Sequence, residues 1–255
     1  MQESLSLRAL PDIPTIVHGD DLGAILGTSL DRLDPKPASG DILVVTHKIV
    51  SKAEGRIVDL KTVVPSDLAH TLSQETGKPP ALCEVILTES RSILRTRPGL
   101  IIAEHRLGLI LANAGIDRSN VEGNEDDEHV LLLPKDPDGS AAALARDLSA
   151  RLGTSLAIII NDSAGRAWRR GVVGLAIGCA GVPAVLDLRG RQDRAGRPLA
   201  VTEVGLADEL ASAAELLMGE ADEGRPAVLI SGLNLGTSER SARDLVRPAA
   251  EDLFR

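Results

Sequence analysis

Asp117 and Asp162 occupy similar places in the chain. Asp117 follows the apolar stretch Leu107–Ala112 through the turn Asn113-Ala-Gly-Ile116, and Asp162 follows Leu156–Asn161 and precedes Ser163-Ala-Gly165. Strand ends that lead into small-residue turns are where α/β proteins present ligand-handling groups, because the sheet fixes the side chain and the loop leaves it accessible. Two carboxylates that meet repel unless a cation lies between them, and hard oxygen donors suit magnesium or manganese. Each Asp alone also reads as an Asx-turn or helix-cap residue, the more frequent role of a single loop aspartate.

Basic residues gather near these positions. Arg166, Arg169 and Arg170 follow Asp162, and Arg189, Arg191, Arg194 and Arg197 punctuate a later loop. Lys48, Lys52 and Arg56 come just after the apolar run Ile42–Thr46. Such clusters supply the point charges and bidentate donors that a polyphosphate needs, although an Arg-rich loop is also common surface chemistry. Gly219 and Gly224 in the segment Leu216–Pro226 allow close backbone approach, and Glu220 between them could complete a cation's shell or hold a ribose or base; an ordinary helix-to-strand loop has the same composition. The five histidines show no metal-ligand spacing, and His47 alone stands near a candidate site.

Composition narrows the field. Of 255 residues 43% are hydrophobic and 25% charged, the profile of a folded chain. The net charge of -9, from 28 basic and 37 acidic residues, argues against a nucleic-acid footprint or a polybasic membrane surface, so any anion must be bound locally. With one Trp, one Phe and no Tyr there is no stacking platform for single-stranded nucleic acid. Cys83 and Cys179 form no C-x-x-C and read as buried thiols in a reducing compartment. No secretory leader is visible, and the longest uncharged run, Gly171–Leu186, is too short and too broken to span a bilayer; the expectation is a cytoplasmic protein without membrane partners. P-loop, G-x-G-x-x-G, H-E-x-x-H and G-x-S-x-G motifs are missing, which removes the standard nucleotide and hydrolase modules.

The elements that must position these residues alternate in type. Asp20 or Asp21 caps a helix to Leu30 or Leu33, Asp41–Thr46 is a strand, Ser66 caps a helix closed by Gly77, and Pro79-Pro80 starts another through Leu87. Leu100–Ala103 and Leu107–Ala112 read as strands, Glu122–His129 as a solvated acidic loop, and Ser140 as the start of a helix ended by Gly153. Leu156–Asn161 is a central strand, Gly171–Leu188 a glycine-rich strand region, Leu206, Leu210, Ala213 and Leu217 mark an amphipathic helix, and Pro226–Ile230 is the last strand before a tail with helical character. The fold class is α+β (mixed α/β), with strand order unspecified.

Taken in order, Gly19-Asp-Asp-Leu22, Gly40–Arg56, Asn113–Val121, Leu132–Ser140, Asp162–Arg166, Arg170-Gly171 and Leu217–Glu220 resemble the coenzyme F-420-0:L-glutamate ligase family over nearly the whole chain. The resemblance implies a family-specific fold of one module, residues 1–255, in two interleaved lobes, forming a homodimer, with no fused reductase domain. It implies a GTP-dependent, divalent-metal-dependent amide ligase that adds L-glutamate to F-420-0 and then γ-linked glutamates through an acyl phosphate. Asp117, Asp162, Ser163 and Glu220 would hold two cations, magnesium or manganese, with potassium a further candidate. Asp117, Asp162, Lys52 and Arg166 would serve catalysis. GTP would contact Ile13, Pro14, Thr15, Ile16, His47, Lys48, Lys52, Asn120 and the loop Met218, Gly219, Glu220, Ala221, Asp222, Glu223, Gly224, Arg225. Ser163 stands where the family pattern has Thr, and Glu220 where some relatives have Gln. A γ-glutamyl ligase acting on a folate-like acceptor, or a non-catalytic GTP-binding regulator, would share most of these residues.

Overall fold

The computed structural model describes residues 4–118, 128–233, 235–236 and 241–253. A five-stranded sheet in the order β1-β12-β2-β8-β9 forms the centre: β1 (Ser6–Ala9), β12 (Ala227–Ser231), β2 (Ile42–Thr46), β8 (Ala157–Gly165) and β9 (Val172–Ala180). Only β2 and β8 run parallel, with Thr46 opposite Asn161 at their carboxyl ends. Both open with continuous apolar runs, 42–45 and 157–160, because helices cover both faces of the sheet. One face packs on α1 (Leu22–Leu30), α2 (His47–Ala53) and α5 (Pro137–Leu152), burying Leu26, Leu43, Val45, Leu148, Ile158 and Ile160. The other packs on α6 (Leu206–Met218), burying Val44, Ile159, Leu210, Ala214 and Ile230. Each of these Leu, Ile and Val side chains contributes about 1.5–3 kcal/mol relative to exposure.

Beside this sheet, α3 (Asp67–Thr76), α4 (Pro80–Glu89) and the antiparallel strands β4 (Ser90–Arg97), β5 (Leu100–His105) and β6 (Ile110–Ala112) enclose a separate core around Leu82, Ile86, Ile101 and Leu132. Two short pairs, β3 (Ile57–Asp59) with β7 (His129–Leu131) and β10 (Leu186–Asp187) with β11 (Glu203–Val204), complete the sheets among the described residues.

Local chemistry explains most boundaries. The Asp21 carboxylate accepts from Ala24 N at 2.9 Å and caps α1; Ser66 caps α3, which ends at Gly77 in the left-handed region. Helix α5 begins at Pro137, not Ser140, because proline's fixed φ suits a first helical position. The glycines of β9 are there for proximity: a Cβ on Gly174 would lie 2.5 Å from the Ala211 backbone of α6, and one on Gly178 would lie 2.4 Å from the Pro137 backbone of α5. Four residues apart on a regular strand, the two would face the same way; the register shift opposite Ile160 and Asn161 turns them to opposite helices.

Several elements differ from the sequence reading. Helix α2 occupies residues read as the continuation after a strand, and β1 and β4 were not anticipated. The joint between β5 and β6 falls at 106–109, where 104–106 was expected. The buried stripe of α6 is Leu206, Ala207, Leu210, Ala211, Ala214 and Met218, rotated by one position from the spacing of Ala213 and Leu217. Asn120 and positions 122–127 of the acidic loop lie outside the described residues, while its last residue, His129, opens β7. Cys83 and Cys179 are buried free thiols, and burial pushes the Cys179 thiol up to about 12. No helix among the described residues is long and apolar enough to cross a membrane.

Candidate active site

The carboxyl ends of β2 and β8 open into a groove of about 400 Å³. Ile13, Pro14 and Thr15 form one border, Thr46, Lys48, Ile49 and Lys52 a second, Asn161, Ser163 and Glu215 the floor. Met218, Gly219, Glu220, Ala221, Asp222, Gly224 and Arg225 curl over it. Helix α2 is what aligns the lysines: positions 48 and 52 are one turn apart and share a face.

The loop after α6 depends on Gly219. Its φ of +74° is hard for any other residue, and a Cβ there would lie 2.0 Å from the Glu223 carboxyl carbon. Glu223 in turn accepts from Ala221 N at 2.9 Å, and these backbone hydrogen bonds hold its carboxyl below the usual range. Glu223 thus ties the loop together and does not line the groove.

Asp162 lies inside β8, three residues before its end, so it is fixed by the ladder and is not a turn residue. Successive strand residues face opposite ways. Asp162 meets His47 Nε2 at 3.2 Å on the α2 side, while Asn161 and Ser163 face α6. His47 is buried, its Nδ1 3.4 Å from Ser51 Oγ, and it does not border the groove. Asp117 is held by two backbone hydrogen bonds to Leu131, of 2.9 and 2.8 Å, after a tight turn in which Asn113, Ala114 and Gly115 all have positive φ. Its carboxylate lies 2.7 Å from Lys48 Nζ. The structure therefore brings both aspartates to consecutive residues of the first turn of α2, each against a base.

On the α6 side, Ser163 Oγ is 2.5 Å from Glu215 Oε1 and 3.0 Å from Glu220 Oε1, and Asn161 Nδ2 donates to Glu215 at 3.2 Å. Burial raises the Glu215 carboxyl; its hydrogen bonds to Ser163 and Asn161 oppose this, and the neighbouring Glu220 reinforces it. Two carboxyl groups in contact need a proton or a cation between them. The donors here are all oxygen and suit magnesium or manganese. Among the described residues no three His, Cys, Asp or Glu side chains gather into a complete cage, so a cation here would draw further oxygens from a phosphate, as magnesium sites commonly do.

Other expected residues lie elsewhere. Ile16 is buried in the core that covers α1. Arg166 borders a different cavity, of about 230 Å³, with Leu109, Asp208 and Arg247. Arg56 leaves the lysines and binds Glu89 at 2.9 Å. Arg189 and Arg197 are engaged with Asp187 and Asp193 on the surface. Glu215 escaped the sequence reading altogether: it reads as one more charge on an amphipathic helix, and its partner Ser163 is 52 residues away.

The fold is α+β, and its groove is built from strand ends and a glycine loop, without P-loop or Rossmann devices. Residues 12–232 match the F420-0:gamma-glutamyl ligase family, and the chain belongs to that family. It is similar to the coenzyme F420:L-glutamate ligase of Methanopyrus kandleri, with 44% identity over 99% of this chain and 98% of the relative. The ligases of the same name from Methanothermobacter thermautotrophicus (44% identity; 98% and 99% covered) and Archaeoglobus fulgidus (42%; 95% and 93%) are similar as well. Membership makes this chain a ligase.

Proposed function

We propose that this chain joins L-glutamate to F420-0 through an amide bond in a GTP-dependent reaction that requires divalent cations, and then adds γ-linked glutamates. The groove carries the reading. Its volume of about 400 Å³, with lysines on one border and oxygen donors on the other, suits a nucleoside triphosphate. The printed names of the relatives support the acceptor and the amino acid.

A carboxylate is a poor electrophile and needs activation. The acceptor's carboxylate attacks the γ-phosphorus of GTP, the bond to the β,γ-bridging oxygen breaks, and GDP leaves with that electron pair. The glutamate amine then adds to the acyl phosphate carbonyl, inorganic phosphate departs, and the nitrogen gives up a proton to form the amide. Lys48 and Lys52 offset the phosphate charge that would repel the incoming carboxylate. Cations held by Asp117, Asp162, Ser163 and Glu220 would add charge neutralisation when bound. Because acyl phosphates hydrolyse, closure matters. Trp168, 87% exposed next to the end of β8, is the kind of anchor a second subunit could cover, and a homodimer is part of the proposal.

The test is incubation with F420-0, L-glutamate, GTP and Mn²⁺, followed by mass spectrometry and phosphate release, with a folate acceptor in parallel. A glutamyl mass increment on F420-0, lost with chelator, is expected. Turnover on folate alone would transfer the reaction to another acceptor, and GTP binding without glutamate-dependent turnover would make the chain a regulator.

A further inference from the structure

The acidic pair on the α6 side contains one member that neither motif order nor charge pattern singles out. Glu215 sits in the last turn of α6, three residues before Met218, and its Oε1 receives both Ser163 Oγ and Asn161 Nδ2. Ser163 Oγ also lies 3.0 Å from Glu220, so one hydroxyl joins the two carboxyl groups at the groove floor. An independent sign comes from Asn161. It borders the groove, is 2% exposed, and its Oδ1 has no hydrogen-bond partner. A buried amide oxygen without a donor is costly, and the amide cannot simply rotate, since that would set its oxygen against Glu215 Oε1. An electropositive partner at the groove floor would satisfy it.

We infer that Glu215 is a cation-holding carboxylate of this groove, forming with Ser163 and Glu220 one divalent-cation position whose remaining oxygens come from phosphate. The inference rests on the proposed use of divalent cations and adds a residue to it. The neighbouring carboxyl of Glu220 supplies the second negative charge, and Asn161 orients Glu215 from below. Gly219 returns the chain so that residues 215 and 220 meet at Ser163.

The test is Mn²⁺ binding followed by electron paramagnetic resonance, with GDP and phosphate present, on wild type, Glu215→Gln and the exposed control Glu209→Gln. Glutamine keeps an acceptor for Ser163 and Asn161 but loses the charge, so a merely structural hydrogen-bond role would leave Mn²⁺ affinity unchanged. The expected result is roughly tenfold or greater weakening of one class of Mn²⁺ site in Glu215→Gln alone. Wild-type affinity in a folded Glu215→Gln overturns the inference while leaving the cation-dependent reading in place. No Mn²⁺ binding to wild type overturns both. A second measurement avoids reliance on the variant: Fe²⁺ and ascorbate on wild type should cleave the backbone around 161–163 and 215–220, suppressed by excess Mg²⁺, and cleavage that spares 215–220 refutes the assignment.

Discussion

Two carboxylates, the buried Glu89 and the half-buried Glu215, sit at helix ends in opposite surroundings. Glu89, the last residue of α4, faces two cations, Arg56 at 2.9 Å and Arg106 at 3.1 Å, with the His105 ring at 3.4 Å. Leu107 N donates to His105 Nδ1 at 3.0 Å, which puts the ring proton on Nε2, facing Glu89. Burial alone would raise Glu89, but the His105 contact and the two guanidinium groups outweigh it and bring the carboxyl down to about 2. Arg56 and Arg106 also reach the carbonyls of Leu133 and Lys135, so this knot fastens α4 to the chain that leads into α5. Glu215 meets a hydroxyl, an amide and another carboxyl instead, and its proton is held more tightly than usual. The first environment draws its counter-charge from within the protein, through Arg56 and Arg106. The second has negative charge left over, as a site does when its counter-charge arrives with the ligand.

The sharpest way to break this contrast is at the two aspartates beside α2, which stand next to the groove without lining it. Asp162→Ala removes a carboxylate from within β8, beside His47, while leaving the apolar core untouched. Turnover should fall by on the order of a hundredfold or more with an almost unchanged melting temperature. Asp117→Ala should behave alike, and wild-type rates in either would remove these residues from the site.

Glu89→Gln should do the reverse. Removing one partner of a buried ionic knot leaves Arg56 and Arg106 uncompensated, at a cost of about 3–5 kcal/mol. Thermal and urea unfolding should show the loss, while Mn²⁺ and nucleotide binding stay close to wild type. The same knot predicts a pH window. A carboxyl lowered from 4.5 to about 2 on folding contributes stability that is fully present above about 4.5 and is lost as the pH falls through about 2. Acid titration of wild type and Glu89→Gln should therefore give stability curves that converge as the pH drops from 4.5 towards 2. A gap that stays constant over that range would mean the knot is not what lowers Glu89.

How much of this was legible beforehand follows from range. Caps and periodicity act within a few residues, so α1, α3, α4 and the apolar strands β2, β8 and β12 could be read directly. Motif order located the glycine loop and both aspartates. Helix α2 was missed because its seven residues carry no capping side chain and include β-branched Ile49 and Val50, so nothing local marks it as a helix. Arg56 was grouped with Lys48 and Lys52 because it is near them in sequence, whereas its partner Glu89 is 33 residues away. Glu215 was invisible for the same reason: nothing in a helix's own spacing says which strand it will cover.

Gly174→Ala connects the two behaviours, since β9 touches α6 there. The added methyl meets Ala211 backbone at 2.5 Å, and backbone cannot yield as a flexible side chain would. A cost of about 1–3 kcal/mol is expected. Because α6 carries Glu215, Mn²⁺ binding should weaken together with stability, unlike Glu89→Gln, which should move stability alone.

The smallest effect belongs to a carboxylate of a third kind. Asp21 caps α1 through one hydrogen bond to Ala24 N, in solvent and away from both knots. Asp21→Ala should cost about 1 kcal/mol by chemical denaturation with turnover unchanged. Asp21→Asn should be near neutral, because an N-cap needs an acceptor oxygen and asparagine keeps one. The isosteric amide thus separates three uses of the same group. At Glu89 it should cost stability, at Glu215 it should cost a cation, and at Asp21 it should cost almost nothing. If all three amides weakened folding to a similar degree, the charge facing each carboxylate would not be what distinguishes them, and the contrast between Glu89 and Glu215 would lose its physical basis.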